Sequence, residues 1–241
     1  MVLPLYDDNP FERASPAVVT WLLIAVNVIV FFIELGTGDQ SSIDTLSASW
    51  GAIPAHIVHP PAAVPPWRTY ATLVSAMFLH AGWLHLIGNM IYLFVFGDDI
   101  EDVLGRARYL AFYLLSGIVA ALGYVLCNAA STAPLIGASG AISGVLAAYL
   151  MLRPCAHVSV IVFGRFARVR AYWVIGFWIV LQLYYFLSNE QDGTAYLAHL
   201  GGLVAGAVLF VLMKPSGVAL FDCVPQPGEA GEDDAENRWL S

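Results

Sequence analysis

Six apolar runs separated by short polar segments dominate the chain: Ala17 to Leu35, Leu84 to Gly97, Tyr109 to Asn128, Ser139 to Leu152, Tyr172 to Leu187 and Tyr196 to Met213. A helix needs about 20 apolar residues to cross a hydrocarbon core of roughly 30 Å. The runs therefore predict an all-α fold, a polytopic membrane bundle of six transmembrane helices. The second and fourth runs are short for that task. If the fourth helix begins at Ser139, then Ala133 to Ala138 must enter the membrane as non-helical backbone, which is tolerated only where neighbouring helices shield it or where it lines a water-filled cavity. The pattern thus predicts a short, central fourth helix. It divides the chain into a segment 1–16, a membrane domain 17–213 and a tail 214–241. The long connection from Gly36 to Trp83, with Trp50, Trp67, Trp83 and several prolines, reads as an interfacial, partly embedded loop.

Basic residues orient the runs. With the amino terminus inside, the inner segments hold Arg13, Arg106, Arg108, Arg153, Arg165, Arg168, Arg170, Lys214 and Arg238, and only Arg68 falls outside. Both termini are expected in the cytoplasm. Residues 1–16 lack a basic n-region and no small-x-small site follows the first run, so that run is expected to stay as an anchor. The expected location is a multi-pass protein of a prokaryotic plasma membrane.

Composition agrees with this reading. The chain is 59% hydrophobic and 12% charged, against about 25% charged in a soluble domain. Its net charge of −8 is concentrated after residue 221, where Asp222, Glu229, Glu232, Asp233, Asp234 and Glu236 face only Arg238. That tail predicts disorder. No basic stripe with interleaved aromatics suggests a nucleic-acid partner. Cys127, Cys155 and Cys223 have no metal-type spacing and are expected to be unpaired apolar filler, with a disulfide framework excluded.

Depth singles out a few polar residues. The second, fourth and sixth helices run outside to inside and end at Asp98, Arg153 and Lys214. Counted back at 1.5 Å per residue, Ser139 lies about 21 Å above the inner boundary, His199 about 22 Å, His85 about 20 Å and Asn89 about 14 Å. A serine and two histidines therefore share one level. Ser139 would sit at the positive end of a helix dipole, which suits a developing oxyanion. His85 and Asn89, at i and i+4, share a helix face. Gly140 and Gly144, with Gly202 and Gly206, form small-xxx-small pairs that let the fourth and sixth helices approach closely. His199 is on the same face as Gly202 and Gly206.

Bland alternatives exist for each residue. A lone intramembrane serine ordinarily bonds back to its own helix, the glycines serve plain packing, and His85 with Asn89 could be interhelical glue. An intramembrane histidine, however, is costly and suggests function. His80 reads as structural near the interface, and His56, His59 and His157 as solvated loop residues. Asp98, Asp99, Glu101 and Asp102, beside Arg106 and Arg108, read as a fold-fixing turn. No acid is near His199 in depth, so a Ser139–His199 dyad is expected instead of a full triad. A zinc protease would need His-Glu-x-x-His, an aspartyl protease would need two aspartates within spans, and neither occurs. No metal and no cofactor is expected.

At these residues the chain resembles the rhomboid family of intramembrane serine proteases over about residues 15 to 213. The segments that carry the resemblance are Trp67-Arg68, His80-Ala-Gly-Trp-Leu-His85-Leu-Ile-Gly-Asn89, Glu101-Asp-Val-Leu-Gly105, Gly137-Ala-Ser139-Gly140 and Ala198-His199-Leu-Gly-Gly202. The resemblance implies Ser139 as nucleophile and His199 as general base. It implies an oxyanion site of His85, Asn89 and the Ser139 N–H. It further implies membrane-protein substrates with a transmembrane segment, cut near the outer face, with the fifth helix and nearby loops gating entry. Where some members carry an aromatic four residues after the serine, this chain has Ser143, which leaves open what orients His199. The spacing from Trp67-Arg68 to His80 is also longer than in some members. The alternative reading is a non-catalytic relative that binds or escorts membrane clients.

Overall fold

The computed structural model describes residues 2–7, 16–36, 40–162, 164–188 and 193–223. Each apolar run carries a helix: α1 (Val18–Glu34), α5 (Trp83–Leu104), α6 (Arg106–Cys127), α7 (Ser139–Leu152), α8 (Ala171–Leu187) and α9 (Tyr196–Met213). The long connection folds into α2 (Gln40–Trp50), α3 (Pro54–Val58), α4 (Pro66–Ser75) and a 3-10 turn at Ala76–Phe78. Proline begins α3 and α4, where its missing N–H costs no helical bond.

The helices suit a bilayer. α6 and α9 are each long and apolar enough to cross a membrane. Pro66–Phe78 and Trp83–Leu104 are long and apolar enough only when taken together, and they are bent by 81° at the break between them, while α1, α7 and α8 are apolar but shorter. Large apolar side chains cover the outside of the bundle, among them Trp21, Leu22 and Ile33 on α1, Trp173, Val180 and Leu187 on α8, and Val204 and Leu212 on α9. Such a surface is unfavourable in water and suits hydrocarbon.

α7 occupies the centre. From Ala141 to Tyr149 every residue is buried. Its neighbours approach at backbone distance: a Cβ on Gly202 would strike the Gly140 carbonyl, one on Gly206 would strike the Gly144 backbone, and one on Gly144 would fall 2.6 Å from Ser116 Oγ. The chain reaches α7 through a largely half-buried non-helical stretch whose backbone polar groups need partners. The connection between α1 and α5 satisfies them. Ala52 and Leu135 exchange N–H···O bonds of 3.0 and 2.9 Å, Ala55 N donates to Ser131 O at 3.0 Å, and Gly137 N donates to Ala76 O at 2.8 Å. That connection thus props the start of α7.

β1 and the segment that follows α9 come to one end of the bundle. β1 (Val2–Asp7) pairs antiparallel with β2 (His157–Val162), which pairs with β3 (Arg165–Arg170), in the order β1-β2-β3. This hairpin links the end of α7 to the start of α8, and the Tyr149 hydroxyl donates to Asp7 at 2.7 Å. At the same end, buried Glu101 near the end of α5 accepts from Val19 N, Thr20 N and Thr20 Oγ1 at 2.9, 2.7 and 2.8 Å. A carboxylate here satisfies the first N–H groups of α1 and complements its dipole. The acidic turn therefore does fasten helices together.

Three expectations are corrected. The fold is mostly helical but not all-α: β2, with the β-branched Val158, Val160, Ile161 and Val162, pairs with Arg165 to Arg170 of β3. Cys155 and Cys223 are joined by a disulfide, with Cα atoms 5.1 Å apart, while Cys127 is unpaired and exposed. The pairing arises because the chain after α9 folds back beneath α7, Phe221 N donating to Met151 O at 2.6 Å. The expected disordered tail accordingly begins with a docked stretch over 214–223, and 224–241 lie outside the described residues.

Candidate active site

Ser139 is the first residue of α7, with Ala138 as its N-cap and no side chain capping the helix. The first intrahelical bond runs from Ile142 N to Ala138 O at 3.0 Å, so the N–H groups of Ser139, Gly140 and Ala141 have no acceptor within the helix. They and the helix dipole make the surroundings of Ser139 electropositive. Gly137, two residues earlier, has φ of +113°, and a Cβ there would fall 2.6 Å from His85 Nε2. Both the backbone angle and the histidine require glycine at that position.

His199 sits in the first turn of α9 and is buried. Its Nε2 lies 2.8 Å from Ser139 Oγ. The close passage of α9 over α7 at the four glycines sets this distance. On the far side, His199 Nδ1 lies 2.7 Å from Gln182 Oε1 of α8. Trp178 lies beside the imidazole, ring centroids 5.8 Å apart and tilted by 34°, and Tyr196 meets it edge-on at 6.3 Å. Ser143 does not fill the place of an aromatic; its hydroxyl donates to Ser139 O at 2.6 Å. None of these supports of His199 was legible beforehand. Gln182 carried a signal: it is the one strongly polar side chain within the fifth apolar run, and such a residue in a membrane span is costly unless partnered.

His85 and Asn89 lie one turn apart on α5 and face the same cleft as Ser139 and His199, a space of about 1150 Å³. Ala81 N donates to His85 Nδ1 at 3.4 Å, which leaves Nε2 as the N–H of a neutral imidazole. Asn89 is buried, and its Nδ2 has no hydrogen-bond partner among the described residues. The cleft is thus bordered by a hydroxyl held on an imidazole, an uncapped helix start and two side-chain donors. Tyr92, Trp178 and Tyr196 line its walls. Elsewhere, His80 is fully buried, its backbone N–H donating to both oxygens of buried Glu34 at 3.3 and 3.1 Å, and its ring lies edge-on to His85 at 5.0 Å. Glu34 is the one acidic residue within the first apolar run, and that is its only signal in the sequence. His157 lies in β2, away from the cleft.

The model of the Rhomboid domain matches residues 67–216. Rhomboid protease AarA of Providencia stuartii is 30% identical over 231 residues, covering 85% of this chain and 78% of AarA. Rhomboid protease GluP of Bacillus subtilis (strain 168) is 30% identical over 196 residues, 81% of this chain but 34% of GluP. Putative rhomboid protease YdcA of the same organism is 39% identical over 90 residues, 36% of this chain and 41% of YdcA. The chain therefore spans well under two thirds of the length of the latter two.

Proposed function

The chain belongs to the rhomboid family, and from that premise we propose that it is an intramembrane serine endopeptidase working through Ser139 and His199. The observation that carries the reading is the 2.8 Å approach of His199 Nε2 to Ser139 Oγ at the uncapped start of α7, inside an otherwise apolar bundle. A serine hydroxyl is a weak nucleophile until a base takes its proton. In this reading His199 accepts that proton as Ser139 Oγ attacks the substrate carbonyl. The carbonyl electrons move onto oxygen, which meets His85 Nε2–H, Asn89 Nδ2–H and the Ser139 N–H. Collapse of the intermediate passes the proton from His199 to the leaving amine, and water then releases the acyl group by the same steps. A Ser–His pair without an acid is a known variation of triad logic. An unpartnered buried donor such as Asn89 Nδ2 is costly in a resting protein and suits an oxygen that becomes negative only during reaction.

The membrane setting follows the same premise. α1 and α5 to α9 would be six transmembrane helices with both termini cytoplasmic, because Arg106, Arg108, Arg153, Arg165, Arg168, Arg170 and Lys214 gather at the end of the bundle that also holds β1 and the segment after α9. The cleft then lies toward the outer face. Substrates would be membrane proteins with a transmembrane segment, and a prokaryotic plasma membrane is the setting. A fluorophosphonate probe on the detergent-solubilised full chain tests the chemistry: it should label Ser139, and labelling should vanish in Ser139→Ala. Wild-type protein that stays unlabelled, yet captures membrane-protein clients, would favour a non-catalytic escort. Reporter fusions at residues 55 and 160 should report opposite sides of the membrane.

A further inference from the structure

His199 is held on both ring nitrogens, and only one of the two contacts belongs to the Ser139–His199 pair. The other comes from α8. A neutral imidazole carries one N–H, and the nitrogen that bears it cannot act as the base. Gln182 Oε1, 2.7 Å from Nδ1, is an acceptor, so Nδ1 carries the hydrogen and the Nε2 lone pair faces Ser139 Oγ. The reverse tautomer would place the hydrogen on Nε2 and leave Ser139 without a base. Trp178, one turn before Gln182 and so on the same face of α8, holds the imidazole plane. We propose that Gln182 is the positioning residue for His199, selecting the tautomer that makes it a base and tying base strength to the seating of α8.

The placement of Gln182 fits no simpler role well. It is buried, but it does not line the cleft, so it does not meet substrate. It is the one buried residue of α8 beyond the first turns: the others are Ala171, Val174 and Ile175 at the base of the helix. Higher up, Phe177, Val180, Tyr184 and Leu187 are exposed. The contacts of the upper part of α8 with α9 include the Gln182–His199 bond, the packing of Trp178 beside His199 and the stacking of Tyr185 on Tyr196, centroids 5.3 Å apart. A displacement of α8 from α9 removes the acceptor from Nδ1 and lets the wrong tautomer form. Ser143 cannot compensate, because its hydroxyl is engaged with the backbone of α7.

The inference rests on the proteolytic reading, and its test separates the two. Fluorophosphonate labelling of the full-length protein in detergent is followed in wild type, Gln182→Met and Gln182→Glu, each with its melting temperature. Methionine keeps the volume and lacks the acceptor, so the maximal labelling rate should fall about tenfold, the net worth of one buried hydrogen bond, with the half-saturating probe concentration unchanged. Glutamate is acceptor-only and should stay within about threefold of wild type. A purely structural residue would show the two variants equally slow, in step with lost thermal stability, and that result would overturn the proposal. So would a Gln182→Met protein labelled at the wild-type rate, which leaves the serine-protease reading standing; an unlabelled wild type removes both. A measurement on the unsubstituted residue guards against misfolding: 15N-histidine spectra, with His199→Gln used for assignment, should show neutral His199 protonated on Nδ1. Protonation on Nε2 would overturn the assignment of Gln182.

Discussion

Two of the polar centres that interrupt the apolar bundle are built on opposite plans. At the end holding β1, Glu101 accepts three hydrogen bonds from the start of α1, and Asp7 accepts from Tyr149. Glu101 and Asp7 are thus each matched by donors from another element. At the cleft the start of α7 is uncapped, Asn89 Nδ2 is unpartnered among the described residues, and Ser139 Oγ is bonded to the imidazole of His199. Both centres begin a helix, and only one of them answers its dipole with a carboxylate. Satisfied polar groups hold helices in place, whereas in the proposed reading the unsatisfied donors beside Ser139 serve a charge that appears only during reaction.

Separating activity from stability sharpens that contrast. The largest effect should come from Ser139→Ala, which should abolish cleavage, by about 10⁴-fold or more, with melting temperature nearly unchanged. A cleavage assay beside a thermal melt checks both. Next come the donors. Asn89→Ala and His85→Ala should each lower turnover by about 10²-fold with substrate binding little altered. The double variant should cost less than the product, since both donors serve one oxygen. A variant that melts early but turns over at the wild-type rate would move Asn89 from the active centre to the packing. Gly206→Val bridges the two plans: it would press on the Gly144 backbone, and overpacking of about 1 to 3 kcal/mol should lower stability and activity together. Smallest is Glu101→Gln, which weakens the charge-assisted capping of α1 by about 1 kcal/mol. It should lower the melting temperature and leave turnover of the folded protein unaltered. A Glu101→Gln protein with slowed turnover and normal stability would break the comparison.

The resemblance between depth counted along the chain and distance in space explains why much of the site was readable early. Ser139, His199, His85 and Asn89 each sit on a helix of known rise that ends at a charge, so simple counting brought them to one level. Gly140, Gly144, Gly202 and Gly206 were readable for a related reason: small residues four apart on a helix can only mean close approach or nothing at all. Gln182 was passed over because counting along one helix says nothing about which face of a neighbouring helix meets it. The hairpin of β2 and β3 was legible in principle from its β-branched run and its alternation around Gly164, but those residues were read only as basic loop.

What the chain determined by itself is the set of helices and the level of each polar residue along them, because apolar runs and helical rise are local properties. Tertiary structure decided the rest. Pairing of β1 with β2 joins residues more than 140 positions apart in the chain, and Cys155 meets Cys223 only because the segment after α9 turns back beneath α7. The tautomer of His199 likewise depends on the rotation of α8 that brings Gln182 inward. Long-range pairings of this kind are chosen by packing among many elements at once, and no window of sequence contains them.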